Sequence, residues 1–415
     1  MSEARKLLRT LFDAAVDSAM PENCMRRWMP QQPDGRIIVV GAGKAAASMA
    51  AILEDEWRCP LQGQVIVPYG HGVDCTSIDV IEAAHPVPDE AGLLASKAIL
   101  DLVSDLSADD TVVCLISGGG SSLLCLPAAD VSLAEKQAIT SALLSAGAAI
   151  HEINCVRKKL SAIKGGKLAA AAAPAKVMTL IISDVPGNDA ATVASGPTVA
   201  DTGSASEALE ILQRYGIAIS DNVSNAIKNS KILKPVPGDM RILATSDDAL
   251  LASAALAVEH GVMPYSLGDL SGDAAKLGTA HAELAMQIAA GNGPLEPPCV
   301  ILSGGETTVN VRGNGRGGRN GEYALSLAIA LNGHRSIHAL SCDTDGIDGS
   351  GDNAGYFVSP STLARAEKIC VDATTSLADN NSYNFFKSLG DLIITGPTRT
   401  NVNDFRAIYV ARDKE

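Results

Sequence analysis

"IIVVGAGKAAASMA", residues 37–50, is an apolar β-branched run that breaks at glycines and continues as an alanine-rich helical segment. Strand, tight turn and helix in that order open a βαβ unit, so the stretch predicts an α/β protein. Gly41, Gly43 and Ala46 fit the G-x-G-x-x-A spacing of a dinucleotide-binding turn. That use also needs an acid about 20 residues on, at the end of the next strand, to hold a ribose hydroxyl. "QVIVPYGHG" (64–72) offers none. Lys44 stands instead at the start of the helix, where backbone N–H groups and the helix dipole already favour an anion.

Outward from this stretch the pattern recurs. "GQVIVP" (63–68), "IDVIEAA" (78–84), "TVVCLI" (111–116) and "KVMTLIIS" (176–183) alternate with longer Ala- and Leu-rich segments. Largely apolar runs of this kind indicate strands buried on both faces, hence a mostly parallel sheet covered by helices. The prolines of "ILKPVPGD" (232–239) break helix and strand alike and mark a linker. The pattern then resumes with "RILAT" (241–245), "VMPYSL" (262–267), "CVILS" (299–303), "SIHALSC" (336–342), "AGYFVS" (354–359) and "DLIIT" (391–395). The expectation is two α/β domains with a cleft between them: a larger Rossmann-like one over 1–236 and a smaller one over 237–415.

Composition narrows the function. A chain of 415 residues, 47% hydrophobic but only 3% aromatic, is long enough for two cores built from small and branched side chains. Its net charge of −14 disfavours non-specific binding to nucleic acid or to an anionic membrane. An anionic ligand therefore needs a local site. Nine cysteines without a C-x-x-C pair read as reduced thiols of a cytoplasmic protein. The opening helix-spaced residues Leu7, Leu8, Leu11, Phe12 and Ala15 read as a packing helix, because Asp13 and Asp17 interrupt any signal-peptide core.

Four loops carry the chemistry. In "CLISGGGSSLLCLP" (114–127), Ser117, Gly118, Gly119, Gly120, Ser121 and Ser122 free a backbone to curl around phosphate oxygens and add hydroxyl donors. The Walker spacing is missing, and Leu123 stands where a nucleophile elbow has its last glycine. "IISDVPGND" places Asp184 and Asp189 after a strand, and "SCDTDGIDGSGD" places Asp343, Asp345, Asp348 and Asp352 after another. Such carboxylates suit Mg²⁺ shared with phosphates, and equally suit Asx turns. In "LSGGETTVNVRGNGRGGRN" (302–320), Gly304, Gly305 and Glu306 precede Arg312, Arg316 and Arg319, and the glycine density offers bare amides to an anion. With Lys44 from the first turn, lysine, arginine, amides and carboxylates make the inventory of phosphoryl transfer. His85, before Pro86, and His71 are further residues that could approach a ligand.

These words, together with "HPVPDEAG", "LSAIKGGKLA", "SGPT", "DTDGIDG" and "TGPTRTNVND", resemble the class II glycerate 2-kinases of the MOFRL family over about residues 7–410. Members of that family have often been labelled hydroxypyruvate reductase. The resemblance implies two α/β domains with an interdomain cleft, ATP and a divalent cation, and phosphorylation of D-glycerate to 2-phosphoglycerate. It implies that Lys44 and Arg319 are the catalytic groups. Gly321, Cys342, Arg399 and Lys159 depart from the family pattern, and the added charge of Arg399 points to an altered choice of hydroxy acid. The combined expectation is an ATP- and Mg²⁺-dependent kinase with a small-molecule partner and at most a second copy of itself. In this reading Gly41, Gly43, the 117–122 loop and Gly304–Glu306 hold nucleotide, and Asp184, Asp189 and Asp343 hold metal. An NAD(P)H-linked hydroxypyruvate reductase is the alternative.

Overall fold

The computed structural model describes residues 2–412. The chain divides into two units, one formed by residues 21–243 and the other by residues 2–20 together with 244–412.

The first unit holds a six-stranded sheet of β1 (Ile37–Ala42), β2 (Leu61–Pro68), β3 (Ile78–Ala83), β4 (Thr111–Ile116), β5 (Lys176–Ile182) and β6 (Gly238–Ala244). Its order is β3-β2-β1-β4-β5-β6, and the pairings from β3 through β5 are parallel. Every residue of β1 and β4 is buried, as continuous apolar runs require. Counting outward from β1, the chain order reverses between β1 and β4. In doubly wound sheets that reversal is the place where the loops leaving adjacent strands part and a crevice opens. "GAGK" leaves β1 at this point and "SGGGSS" leaves β4.

The second unit holds β7 (Met263–Asp269), a two-residue strand β8 (Gly272–Asp273), β9 (Cys299–Gly304), a two-residue strand β10 (Thr307–Thr308), β11 (Ile337–Asp343), β12 (Gly355–Val358), β13 (Leu392–Ile393) and β14 (Asp404–Val410). Six of them form a sheet in the order β13-β12-β11-β14-β9-β7, while β8 and β10 pair separately. The sheet is mixed. β14 runs antiparallel to both β11 and β9, with Asp404 opposite Asp343 and Arg406 opposite Ser303. The first residues of β14 thereby lie at the ends of two strands that arrive from the other direction, which decides the chemistry of that edge.

Two boundaries differ from the sequence-based expectation of 1–236 and 237–415. The strand of "RILAT" does not begin the second unit, because β6 adds to the edge of the first sheet beside β5. The N-terminal helix Glu3–Ala19 groups with the second unit. Its stripe of Leu8, Leu11, Phe12 and Ala15 is at most 1% exposed. It packs against helix Ser246–Glu259, and the Ser253 hydroxyl donates to the Leu11 carbonyl at 2.6 Å. An amphipathic helix stays folded only where its apolar face is covered, and residues 246–259 supply that cover together with β11 and β14, where Phe405 meets Phe12.

Helix Arg319–Leu331 lies on the second sheet and is supported from behind. Tyr323, fully buried, accepts or donates a 2.7 Å hydrogen bond with His281 Nδ1, and its ring lies 5.3 Å from the Arg406 guanidinium carbon. Burial, with a smaller contribution from Arg406, lowers the His281 pKa to about 4.

Two outcomes follow for stability. Leu11→Ala should cost about 2–5 kcal/mol and speed amide exchange in residues 246–259 while sparing β1 and β4; equal loosening of both units would contradict the packing described. Because the neutral imidazole is favoured in the native state, stability should fall as pH drops from about 6.5 towards about 4, by ~3 kcal/mol from this group. That part of the acid slope should be missing in His281→Gln when urea midpoints are compared across pH.

Candidate active site

In the first unit the two turns at the sheet reversal are sewn together. The Lys44 amide donates to the Gly118 carbonyl at 2.9 Å, the Ser117 amide to the Ala42 carbonyl at 3.2 Å, and the Ala45 amide to Ser117 Oγ at 3.0 Å. Ser117 is thus a buried staple between the turns. The half-buried Lys44 rises beside the glycine turn: an atom at the Cβ position of Gly119 would lie 3.6 Å from Lys44 Cγ and 3.0 Å from His85 Nε2. Gly41, Gly43, Lys44, the 117–122 turn and His85 therefore meet at one sheet edge. Ser121 Oγ shares a hydrogen with Ser195 Oγ at 2.9 Å, Ser195 bonds Asn154, and Ser122 Oγ donates to the Gly119 carbonyl. The hydroxyls expected to face phosphate also brace the turn internally.

The acids behind β5 are placed differently from one another. Asp184 is half-buried at the strand end. Asp189 is exposed and spends both oxygens locally, on the Ala191 amide at 3.1 Å and the Thr192 hydroxyl at 2.7 Å. That is the Asx-turn use of an aspartate. Among the described residues no group of three or more His, Cys, Asp or Glu side chains could hold a metal ion alone.

In the second unit the edge is built around Arg319. Its guanidinium donates from Nε to Asp404 at 2.8 Å, from Nη1 to Glu306 at 2.6 Å and from Nη2 to Asp343 at 2.9 Å. Burial opposes the charge, but Asp404, Asp343 and Glu306 outweigh it and hold the pKa well above the ordinary arginine value. Asp404 also accepts from Asn320 Nδ2 at 2.7 Å and pairs with Arg406, which is 1% exposed and donates to the Gly304 carbonyl at 2.7 Å. The amides of Asn320 and Gly321 are taken by the carboxylate of Asp348, at 3.0 and 3.1 Å. Asp348 thereby serves the helix start as an internal anion, although burial pushes its own pKa up.

The glycine-rich loop behaves otherwise than its composition suggests. Its bare amides do not converge on an open site. Arg312 and Gly313 donate to Asn380 Oδ1, Asn314 to Asp379 Oδ1, Gly315 to the Asp379 carbonyl and Arg316 to Asn381 Oδ1. A Cβ on Gly313 would stand 2.4 Å from the Asp379 backbone, so glycine is there to let two backbones touch. Arg316 stacks 4.0 Å from the Tyr383 ring centre. Of the three arginines only Arg319 joins the acidic cluster. Asp404 and Arg406 carried no sequence signal beyond lying in and after "NVND", since their importance comes from the reversed direction of β14.

Comparison with known proteins places these edges in a family. The model described as "Domain of unknown function (DUF4147)" matches residues 7–228, and that of the "MOFRL family" matches residues 299–404. The chain belongs to the MOFRL family. It is 48% identical over 98% of its length to a protein of Agrobacterium vitis provisionally named hydroxypyruvate reductase, covering 94% of that chain. It is 40% identical to the D-glycerate 2-kinase of Thermotoga maritima, covering 96% and 97% of the two chains. The crystal structure of the T. maritima glycerate kinase superposes with a TM-score of 0.89, at 38% identity and 98% and 99% coverage. Both sheets are therefore those of the MOFRL family glycerate kinase structure.

The departures from the MOFRL pattern have local explanations. A Cβ on Gly321 would sit 2.2 Å from Ser382 Oγ, so Ser382 and Tyr356 fill the room a larger side chain would need. Lys159 is buried and bonds the Gly203 carbonyl at 2.5 Å and Asp201 at 2.8 Å, fastening that turn. Cys342 is buried within β11, and Arg399 is exposed with a φ of 63°.

Replacing Arg319 by Met would leave Asp404 and Asp343, 1% and 4% exposed, without their shared cation. Unfolding in urea should show a loss of about 3–5 kcal/mol, with Arg319→Lys recovering part of it. Wild-type stability in the Met variant would mean the cluster is not held as described.

Proposed function

We propose that this chain transfers the terminal phosphoryl group of ATP to the 2-hydroxyl of D-glycerate, giving 2-phosphoglycerate and ADP. The observation that carries the reading is Lys44 held beside the Gly118–Gly119 turn at the sheet reversal, a cation and a glycine turn where such sheets bind phosphates. Relatives named glycerate kinase, similar over nearly the whole chain, support the substrate and the reaction class.

The hydroxyl oxygen of glycerate forms a bond to the terminal phosphorus as the bond to the bridging oxygen breaks, and ADP leaves with that electron pair. Lys44 offsets charge on the transferred group. Arg319, with the guanidinium fixed in one plane by Glu306, Asp343 and Asp404, orients the acceptor carboxylate. In a loose transition state the hydroxyl proton leaves late, so a strong base is unnecessary. Mg²⁺ would neutralise phosphate oxygens. It needs only one or two protein carboxylates, and we assign Asp184, half-buried at the end of β5 beside the strand that carries the glycine turn. Gly41, Gly43 and residues 117–122 would line the nucleotide. Nine free cysteines fit a reducing cytoplasm, and among the described residues no helix is long and apolar enough to cross a membrane.

Coupled ADP release with D-glycerate, and phosphorus NMR of the product, test the reading. Lys44→Met should lower kcat by roughly 10²–10³-fold or more with the fold intact; near-normal turnover would remove Lys44 from the reaction. The reductase reading retains the G-x-G-x-x-A turn on a sheet of dinucleotide-binding order. It predicts NADH oxidation by hydroxypyruvate without ATP.

A further inference from the structure

Beside the "SGGGSS" turn, wholly within residues 21–243, lies a cavity of about 590 Å³. Three cations line it, Arg157, Lys136 and Lys164, and no carboxylate does. Lys136 and Lys164 are 7% and 1% exposed. Lys164 donates to the Ser121 carbonyl at 2.7 Å and Lys136 to the Cys125 carbonyl at 3.0 Å, so both ammonium groups are fixed on the turn they flank. Arg157 has no hydrogen-bond or ion-pair partner among the described residues, and burial alone lowers its pKa. The three basic groups lie close enough to repel one another when charged, and Lys136 and Arg157 both depress the Lys164 pKa beyond what its burial does. The lysines recover part of that cost through these hydrogen bonds, whereas Arg157 has none, and an anion in the cavity would relieve the repulsion on it.

The rest of the wall says which anion. Val87, Pro88, Leu133 and Leu144 make one side apolar. Glycerate has no apolar face and would leave most of such a volume empty, whereas a nucleoside phosphate pairs a flat base with a polyanionic tail. The lining also includes Gly119, which stands beside Lys44, and His85, which neighbours Gly119. We infer that this cavity seats the nucleotide, its base against the apolar wall and its phosphate chain paired with Arg157, with the terminal phosphate directed towards Lys44. The inference rests on the kinase reading and goes beyond it by assigning the nucleotide to residues 21–243 and its phosphate contact to Arg157.

Calorimetric titration of the full chain with ADP, alongside steady-state kinetics, tests it. Arg157→Met should weaken ADP binding roughly tenfold or more, raise KM for ATP by a similar factor and leave KM for glycerate unchanged. Arg157→Lys should recover part of the affinity. Without nucleotide, Arg157→Met should melt no lower than wild type, because a repelled cation has been removed, and this separates a binding defect from a folding defect. Wild-type ADP affinity in Arg157→Met, or no ADP binding by the wild type, overturns the assignment. So does a rise in KM for glycerate instead of ATP. Should ADP bind in an Arg157-dependent way while no hydroxy acid elicits ADP release, the kinase reading falls and the nucleotide seat stands.

Discussion

The adjacency of β1 and β4 is the constraint on which the first unit turns. Two parallel, fully buried strands sit side by side although two strands and two helices separate them in sequence, and the chain departs from them into different connections. Nothing bulky fits where the two turns meet, so glycine is required there, and the staple from Ser117 to the opposite turn fixes their spacing. Everything ascribed to Lys44 depends on that fixed spacing, because a flexible lysine stem gains direction only from the surface it lies along. The buried ammonium of Lys164 reinforces the same turn from beneath.

The second unit solves a different problem. A guanidinium surrounded by three acids is costly to bury, yet removing either side of the arrangement costs more than keeping it. Asp404 bridges two arginines, so the charge of the cluster is nearly balanced and its geometry is over-determined. The result is a guanidinium fixed in one plane by two buried acids, Asp343 and Asp404, and one exposed acid, Glu306.

The sequence was informative where physics is local. Continuous apolar runs located the strands of the first sheet, and "GAGK" and "SGGGSS" marked their turns because glycine spacing has a short-range cause. Long-range pairing left no such trace. That β14 runs backwards between β9 and β11, and so brings Asp404 to Arg319, depends on partners some 60 to 110 positions away in sequence. The loop of residues 309–318 misled for a related reason: glycine that permits an approach of two backbones is spelled the same way as glycine that cradles an anion. Arg157 sits inside an ordinary-looking helix, and only the three-dimensional packing shows that the cavity it lines holds no acid among the described residues. The linker signal at "ILKPVPGD" was real as a break in regular structure, but the strand that follows it closes the first sheet rather than opening the second.

The placement of the helix Glu3–Ala19 bears on how the molecule is made. Residues 21–243 are continuous and can close their core while the ribosome is still adding the remainder. The helix Glu3–Ala19 cannot settle when it is made, because the surfaces that cover it, residues 246–259 with β11 and β14, are translated more than two hundred positions later. Until then Leu8, Leu11 and Phe12 form an uncovered greasy stripe on the nascent chain, and the second unit completes its core with a helix made before the whole of the first.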